Sequence, residues 1–489
     1  MRALDLVLLE AHRLRRDRLF WIATLACLAA LLLGLLNGRG WSEEQRAQIA
    51  THERHMQETF DSLRKQADEL RATSAALPQG LRERRGDPRY ALGFEAGFVQ
   101  HACRRPDALA ALGVGQSDLY NSCIFSSAWD AGGEGDEQAH RALENPLRLL
   151  FGRFDAAFAA IALLPIAILA IAYNLLSGER ELGVLPLLLA QPTPLRRLLA
   201  VRLLVRAVVF LGVTLLALVL ALVWLGAPIF GARGSAQLGL WVAVTAAYGL
   251  FWFACAFFVN SRGRGSAENG LLLTGLWLLL VVVAPGGLNL GLKQFYPMPS
   301  RIAYLDEARE ATVEIERKKT ELLGRYLIDH PDMVAGADKA VNVDEFVQTK
   351  MAIADGMKKA LTPLDSMFRL QRERQQSFVD RLRFLSPAVV YQQVGQMLTG
   401  NDRVRHGRFL AAAERHHQDL QKFFFPRFVK DGPGFAVYDA VPRFTFTEAG
   451  LHDALPEVAT ALTLLLAPTA MLGILGWRRM ATTNIRDSD

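Results

Sequence analysis

The sequence has no Gly-Lys dipeptide, so it holds no GxxxxGK[ST] loop to cradle nucleotide phosphates. HExxH and GxSxG are also absent. Four cysteines in 489 residues are too few for a disulfide scaffold. Charge is missing where it matters most. Six runs contain no Asp, Glu, Lys or Arg: Leu19–Leu36, Ala156–Leu176, Ala207–Leu225, Leu238–Val259, Gly270–Leu290 and Val458–Trp477. Their only ionisable side chains are Cys27, Cys255, Tyr173 and Tyr248. Proton-coupled carriers place carboxylates, histidines or bases at membrane depth as relays, so that class is disfavoured.

What is present is apolar length. A span needs about 20 apolar residues, and six such runs predict six transmembrane helices. The first run is long for a signal peptide, and LLNGRGW lacks a small-x-small cleavage site, so an uncleaved anchor is expected.

Arginine placement sets the orientation. Arg2, Arg13, Arg15, Arg16 and Arg18 precede the first run, and Arg180, Arg196, Arg197, Arg202 and Arg206 fall between the second and third. Arg262, Arg264, Arg478, Arg479 and Arg486 lie on the same side, whereas the opposite loop 226–237 has only Arg233. Positive-inside bias puts both termini in the cytoplasm. The order is then 1–18 cytoplasmic, 19–36 span, 37–155 outside, 156–176 span and 177–206 inside. Spans follow at 207–225, 238–259 and 270–290, then the outer segment 291–457, the span 458–477 and the cytoplasmic tail 478–489.

The two outer segments read as helical. Ile49, Met56, Phe60, Leu63, Ala67 and Leu70 form one apolar stripe, and so do Ala308, Ala311, Ile315, Leu322 and Tyr326. Leu364, Phe368, Phe378, Leu382 and Leu385 form another, and RHGRFLAAAERHHQDLQKFFF a fourth helix. Each stripe needs a partner, so one helical outer domain built from both segments is expected. RRGDPRY and KDGPGF read as its connecting loops. Cys103 and Cys123 both fall in the first outer segment, 20 residues apart, and an oxidising compartment favours pairing them. His52 with His55, and Glu414 with His417, have metal-compatible spacing, but solvated helix faces are the expected role. No metal site and no nucleic-acid partner is expected.

The stretch YNLLSGERELGVLPLLLAQPTPLRRLLAVRLL leaves one span, lays down a short segment and enters the next. Gly178 is expected to turn the chain out. Glu179 and Glu181 are expected at a helix start, where acids are stabilised. Val184, Leu185, Leu187, Leu188 and Leu189 give an apolar surface, Thr193 a helix N-cap and Pro194 the first residue of the next helix.

SGERELGVLPLLLAQPTPLRRLLAVRLL resembles the segment after the second span of ABC-2-type permeases, where Glu-Arg-Glu-x-Gly leads into a coupling helix. Pro186 departs from that pattern. LDLVLLEAHRLRRDRLFW resembles their amphipathic elbow helix. RFLSPAVVYQQVGQMLTGNDRVRHGRFLAAAERHHQDLQKFFFPR is similar to a subfamily with two large periplasmic insertions. The resemblance implies an all-α membrane protein of a bacterial inner membrane. It would be a non-catalytic permease subunit of an ATP-driven exporter or extractor, paired with an identical or related permease chain. Two copies of a separate ATPase would bind ATP and Mg, with no cofactor in this chain. Glu179, Arg180, Glu181, Gly183, Leu185 and Leu188 would form the ATPase-coupling interface. Apolar spans suit a lipophilic or peptide substrate in contact with membrane lipid, or mechanical work on the periplasmic domain and a periplasmic partner. The competing reading is a membrane-anchored periplasmic sensor or scaffold that transports nothing.

Overall fold

The computed structural model describes residues 3–73, 87–88, 100–115, 117, 120–128, 153–185, 194–298, 301–329, 345–430 and 437–482. Pro186, Leu188, Thr193 and most of RRGDPRY and KDGPGF lie outside that set. The described chain is all-α apart from one two-stranded ladder. Six of its helical stretches are long and apolar enough to cross a membrane, as in a multi-pass membrane protein.

Helix α1 (Ala3–Arg16) turns Leu6, Glu10 and Leu14 inward, four residues apart on one face. Asp17 then breaks the helix and caps the next, its side chain accepting from Phe20 N at 3.1 Å. Helix α2 (Arg18–Ala72) does not stop at the end of the apolar run. It continues unbroken for 55 residues, about 80 Å at 1.5 Å per residue. No proline or cap interrupts it, so the first apolar run and the stripe that begins at Ile49 lie on one rod. Gly34 and Gly38 are tolerated within it because other backbone crosses there. A Cβ on Gly38 would stand 2.0 Å from Ala111 O, and one on Gly34 2.4 Å from the Asp155 carbonyl carbon.

Helices α3 (Ala156–Ala172), α4 (Ser177–Glu181), α5 (Leu195–Trp224) and α6 (Ala232–Asn260) follow. Pro194 occupies the N-cap position of α5, where it was expected as the first helical residue. Helix α6 buries Trp241, Tyr248 and Trp252 completely and is the centre of the bundle. The fifth crossing is α7 (Ser266–Trp277), a π-helical turn (Leu278–Val283) and α8 (Ala284–Phe295). It is the least covered of the six, with 11% of its apolar window buried against 72% for α6.

Helices α9 (Arg301–Arg317) and α10 (Lys319–Asp329) pack on α11 (Glu345–Leu382), burying Ile315, Met351 and Ala352. Leu385, expected on the α11 stripe, falls in a 3-10 turn after it and is 48% exposed. The next helix is α12 (Pro387–Leu398). It enters the bundle, where Tyr391 stacks on Tyr248 at 4.8 Å and its hydroxyl meets Thr245 Oγ1 at 3.1 Å. Ser386 Oγ donates to Leu280 O at 2.6 Å, satisfying a carbonyl within the π-helical turn. Helices α13 (Arg403–Lys430), α14 (Val437–Ala440) and α15 (Leu455–Thr482) are the last among the described residues.

Strands β1 (Gln100–Cys103) and β2 (Cys123–Ser126) pair antiparallel, with Cys103 opposite Cys123 and a disulfide between them. A distal core joins both long segments. Phe60 and Ala67 of α2 meet Leu420 and Phe424 of α13 and Val437 and Tyr438 of α14. Ala102 and Ile124 of the ladder meet Phe409 and Ala413.

Candidate functional site

The short helix α4 sits where α3 ends and gathers contacts from four other elements. Its C-terminus closes as a Schellman turn. Gly183 N donates to Arg180 O at 2.9 Å and Val184 N to Glu179 O at 3.0 Å, with Gly183 at φ 68°. Gly183, not Gly178, is therefore the glycine the turn requires; Gly178 lies inside α4. Glu181 ends a helix rather than starting one.

Each charged side chain of Glu179-Arg180-Glu181 is engaged by this same chain. Glu181 Oε1 accepts from Ser266 N at 2.7 Å. Ser266 opens α7, whose own N-cap is Gly265, with no side chain to offer. Glu181 thus acts as the missing cap, and its negative charge meets the positive end of α7. Arg180 donates to Gly263 O in the α6–α7 turn. Glu179 turns the other way, with Arg202 Nη1 2.7 Å from Oε2 and Arg13 Nη1 3.3 Å from Oε1.

Glu179 belongs to a larger ion cluster. Arg202 and Arg206 of α5 lie 3.5 and 3.6 Å from Glu10 of α1, and Arg206 Nη2 is 2.9 Å from Asp17. Glu10, Asp17 and Glu179 balance Arg13, Arg202 and Arg206. Both the Glu10 and the Arg202 side chains are only 5% exposed. A buried charge persists only when paired and hydrogen-bonded, and the arginines also donate to carbonyls at and just after the end of α3. Arg206 Nη1 donates to Ile171 O at 2.7 Å and Arg202 Nη1 to Leu175 O at 3.3 Å. Cations at a helix C-terminus also oppose its negative end.

Uncharged groups finish the joint. Asn260, the last residue of α6, donates to Ala172 O at 2.9 Å and lies fully buried. Ser266 Oγ donates to Ser177 Oγ at 2.9 Å, and Asn269 Nδ2 reaches Tyr173 O at 3.3 Å. The end of α3 is therefore held by α1 and α5 on one side and by α6 and α7 on the other.

The apolar residues divide. Leu185 is buried in the main apolar core. Leu182 is 78% and Val184 37% exposed at the tip of the turn. Leu188 lies outside the described residues. Sequence reading had Arg202 and Arg206 only as signals of orientation, and it missed Glu10, Asp17, Asn260, Ser266 and Asn269. The four-residue spacing of Arg202 and Arg206 on one helix face was the available clue.

Of the histidine candidates, His417 is buried rather than on a solvated helix face. His416 Nε2 faces Gln100 Oε1 at 3.0 Å and His417 Nδ1 faces Ser127 O at 2.7 Å, both buried. His52 stacks on His101 at 4.6 Å. Burial first, then the neighbouring His52 and His55, push His101 down to about 4. No group of three metal-ligating side chains occurs among the described residues.

A family model described as a domain of unknown function (DUF3526) matches residues 301–447, which run from α9 to just beyond α14. No curated protein and no solved structure matches the chain.

Proposed function

We propose that this chain is the membrane-spanning subunit of an ABC-2-type transport complex. It lies in a bacterial inner membrane with both termini in the cytoplasm, and α4 and its turn are the point where a partner ATPase pushes. The observation that carries this reading is the arrangement around α4. One five-residue helix, with its tip exposed at Leu182 and Val184, is tied by Glu179, Arg180 and Glu181 to three separate parts of the bundle. A load on the tip reaches α1 and α5 through the ion cluster, and α6 and α7 through Arg180 and Glu181.

In this reading two ATPase copies bind ATP and Mg and close on each other. Two permease chains, identical or related, receive that movement. The three charged side chains set the angle of the lever, while the apolar tip and the residues after it meet the ATPase. The uncharged span interiors favour a lipophilic or peptide substrate, or movement of the distal domain itself.

Purification of the full chain in mild detergent tests this reading. The expected result is co-isolation of an ATPase carrying a Walker loop, in equal amount to this chain. Isolation of the chain free of any ATPase, with its distal domain holding a ligand, would establish the sensor or scaffold instead.

A further inference from the structure

Residues 104–115 form the seam between the distal domain and the helix bundle. Apart from a single 3-10 turn (Ala110–Leu112) they lack regular structure, so their peptide groups need partners elsewhere. Contacts reach the seam from four directions. Arg105 O accepts from Arg405 of α13 at 2.8 Å. Ala110 O and Gly113 O accept from Asn401 at 3.2 and 2.6 Å, and Gly113 O also from Thr399 at 3.2 Å. Val114 N and Gly115 N donate to Asp155 Oδ2 at 2.8 and 3.0 Å, while Oδ1 of the same carboxylate caps α3 through Phe158 N at 2.7 Å. Asp107 faces Gln237 and Arg233 of α6 at 3.2 and 3.4 Å.

The apolar side chains of the seam divide between two bodies. Leu109 and Leu112 are fully buried in the same core as the spans. Ala110 and Val114 pack with Trp41, on the α2 rod. The ladder from which the loop springs is part of the distal core, and the Cys103–Cys123 disulfide closes the loop at its base.

We propose that this disulfide-closed loop is the mechanical joint between the bundle and the distal domain, and that the disulfide keeps the joint stiff. Shifts at the outer ends of α3 and α6 act on Asp155 and Asp107, and through the loop on the ladder and α13. The crosslink removes the freedom by which the loop would absorb such a shift without passing it on. The inference concerns linkage within the chain, so its failure would leave the proposed function standing.

Hydrogen exchange on the full chain in lipid nanodiscs tests it, with the oxidised wild type, the same protein reduced by a phosphine, and an Asn401→Ala variant with the disulfide intact. Reduction is expected to speed exchange at least about tenfold in the loop, in the first turn of α3 and at 399–405, by opening a linked unit. Exchange in α9–α11 should stay unchanged. Asn401→Ala is expected to loosen the ladder, which that side chain does not touch. Reduction effects confined to 104–122, or a ladder unmoved by Asn401→Ala, would overturn the joint and leave the disulfide a local staple. Because reduction is done on folded wild-type protein, the test does not depend on a cysteine variant accumulating.

Discussion

Arg202 shows how one side chain serves several elements. It pairs with Glu179 and Glu10 and reaches Leu175 O, while its own side chain is only 5% exposed. Replacing it with Met leaves two carboxylates facing each other with one fewer cation. Breaking a buried pair from one side costs about 3–5 kcal/mol. Arg202→Met is therefore expected to lose stability of that order in denaturant titrations of the micellar protein. Arg13→Ala, at 54% exposure, should lose no more than about 1 kcal/mol. Equal losses would mean that the cluster is solvated and carries no load. The sequence displayed these arginines without their partners. Glu10 lies nearly two hundred residues away, and no local pattern in one sequence says which acid faces which base. The Glu179-Arg180-Glu181 motif was legible as a site, but its direction was not. Charges near a membrane surface invite an external partner, whereas here the first bonds they make are to their own chain.

Helices were the most legible feature, because apolar length and heptad-like stripes are written directly in composition. Their joins were less so. The apolar run to Leu36 and the stripe from Ile49 are one helix, since nothing between them disfavours helical backbone enough to stop it. Pro387–Leu398 carries no charge, yet its 12 residues are too few to span, so length alone does not show that it packs in the bundle. Close crossings are invisible in a single sequence: Gly34, Gly38 and Gly40 look alike, while only the first two have neighbouring backbone within reach. The pair Gly38 and Gly40 tests that distinction. Gly40→Ala meets open space and should stabilise the helix by up to about 1 kcal/mol. Gly38→Ala forces α2 off Ala111 and should destabilise by about 1–3 kcal/mol, read in the same titration. The same sign for both would mean that α2 does not cross the 104–115 loop this closely.

At the scale of the molecule, two joints bracket the bundle. One lies at the end that carries α1, where α4 is tied to α1, α5, α7 and the α6–α7 turn. The other lies at the opposite end, where the 104–115 loop meets α2, α3, α6 and α13. Between them run the α2 rod and the central α6, so a push at one end has rigid elements to travel along. The proposed function requires that α4 transmit such a push. A charge-assisted hydrogen bond contributes about 1.5–3 kcal/mol, so losing Glu181 should shift a coupling equilibrium by about tenfold or more. The direct measurement is ATP hydrolysis by the proposed partner ATPase, reconstituted in nanodiscs with wild-type chain, Glu181→Lys, and Glu310→Lys on the exposed face of α9 as control. Glu181→Lys should insert and fold as wild type but lose most of its effect on hydrolysis, while Glu310→Lys keeps it. A Glu181→Lys chain that binds the ATPase at the wild-type ratio and stimulates hydrolysis normally would contradict the account and reduce the α4 turn to a loop at the membrane surface.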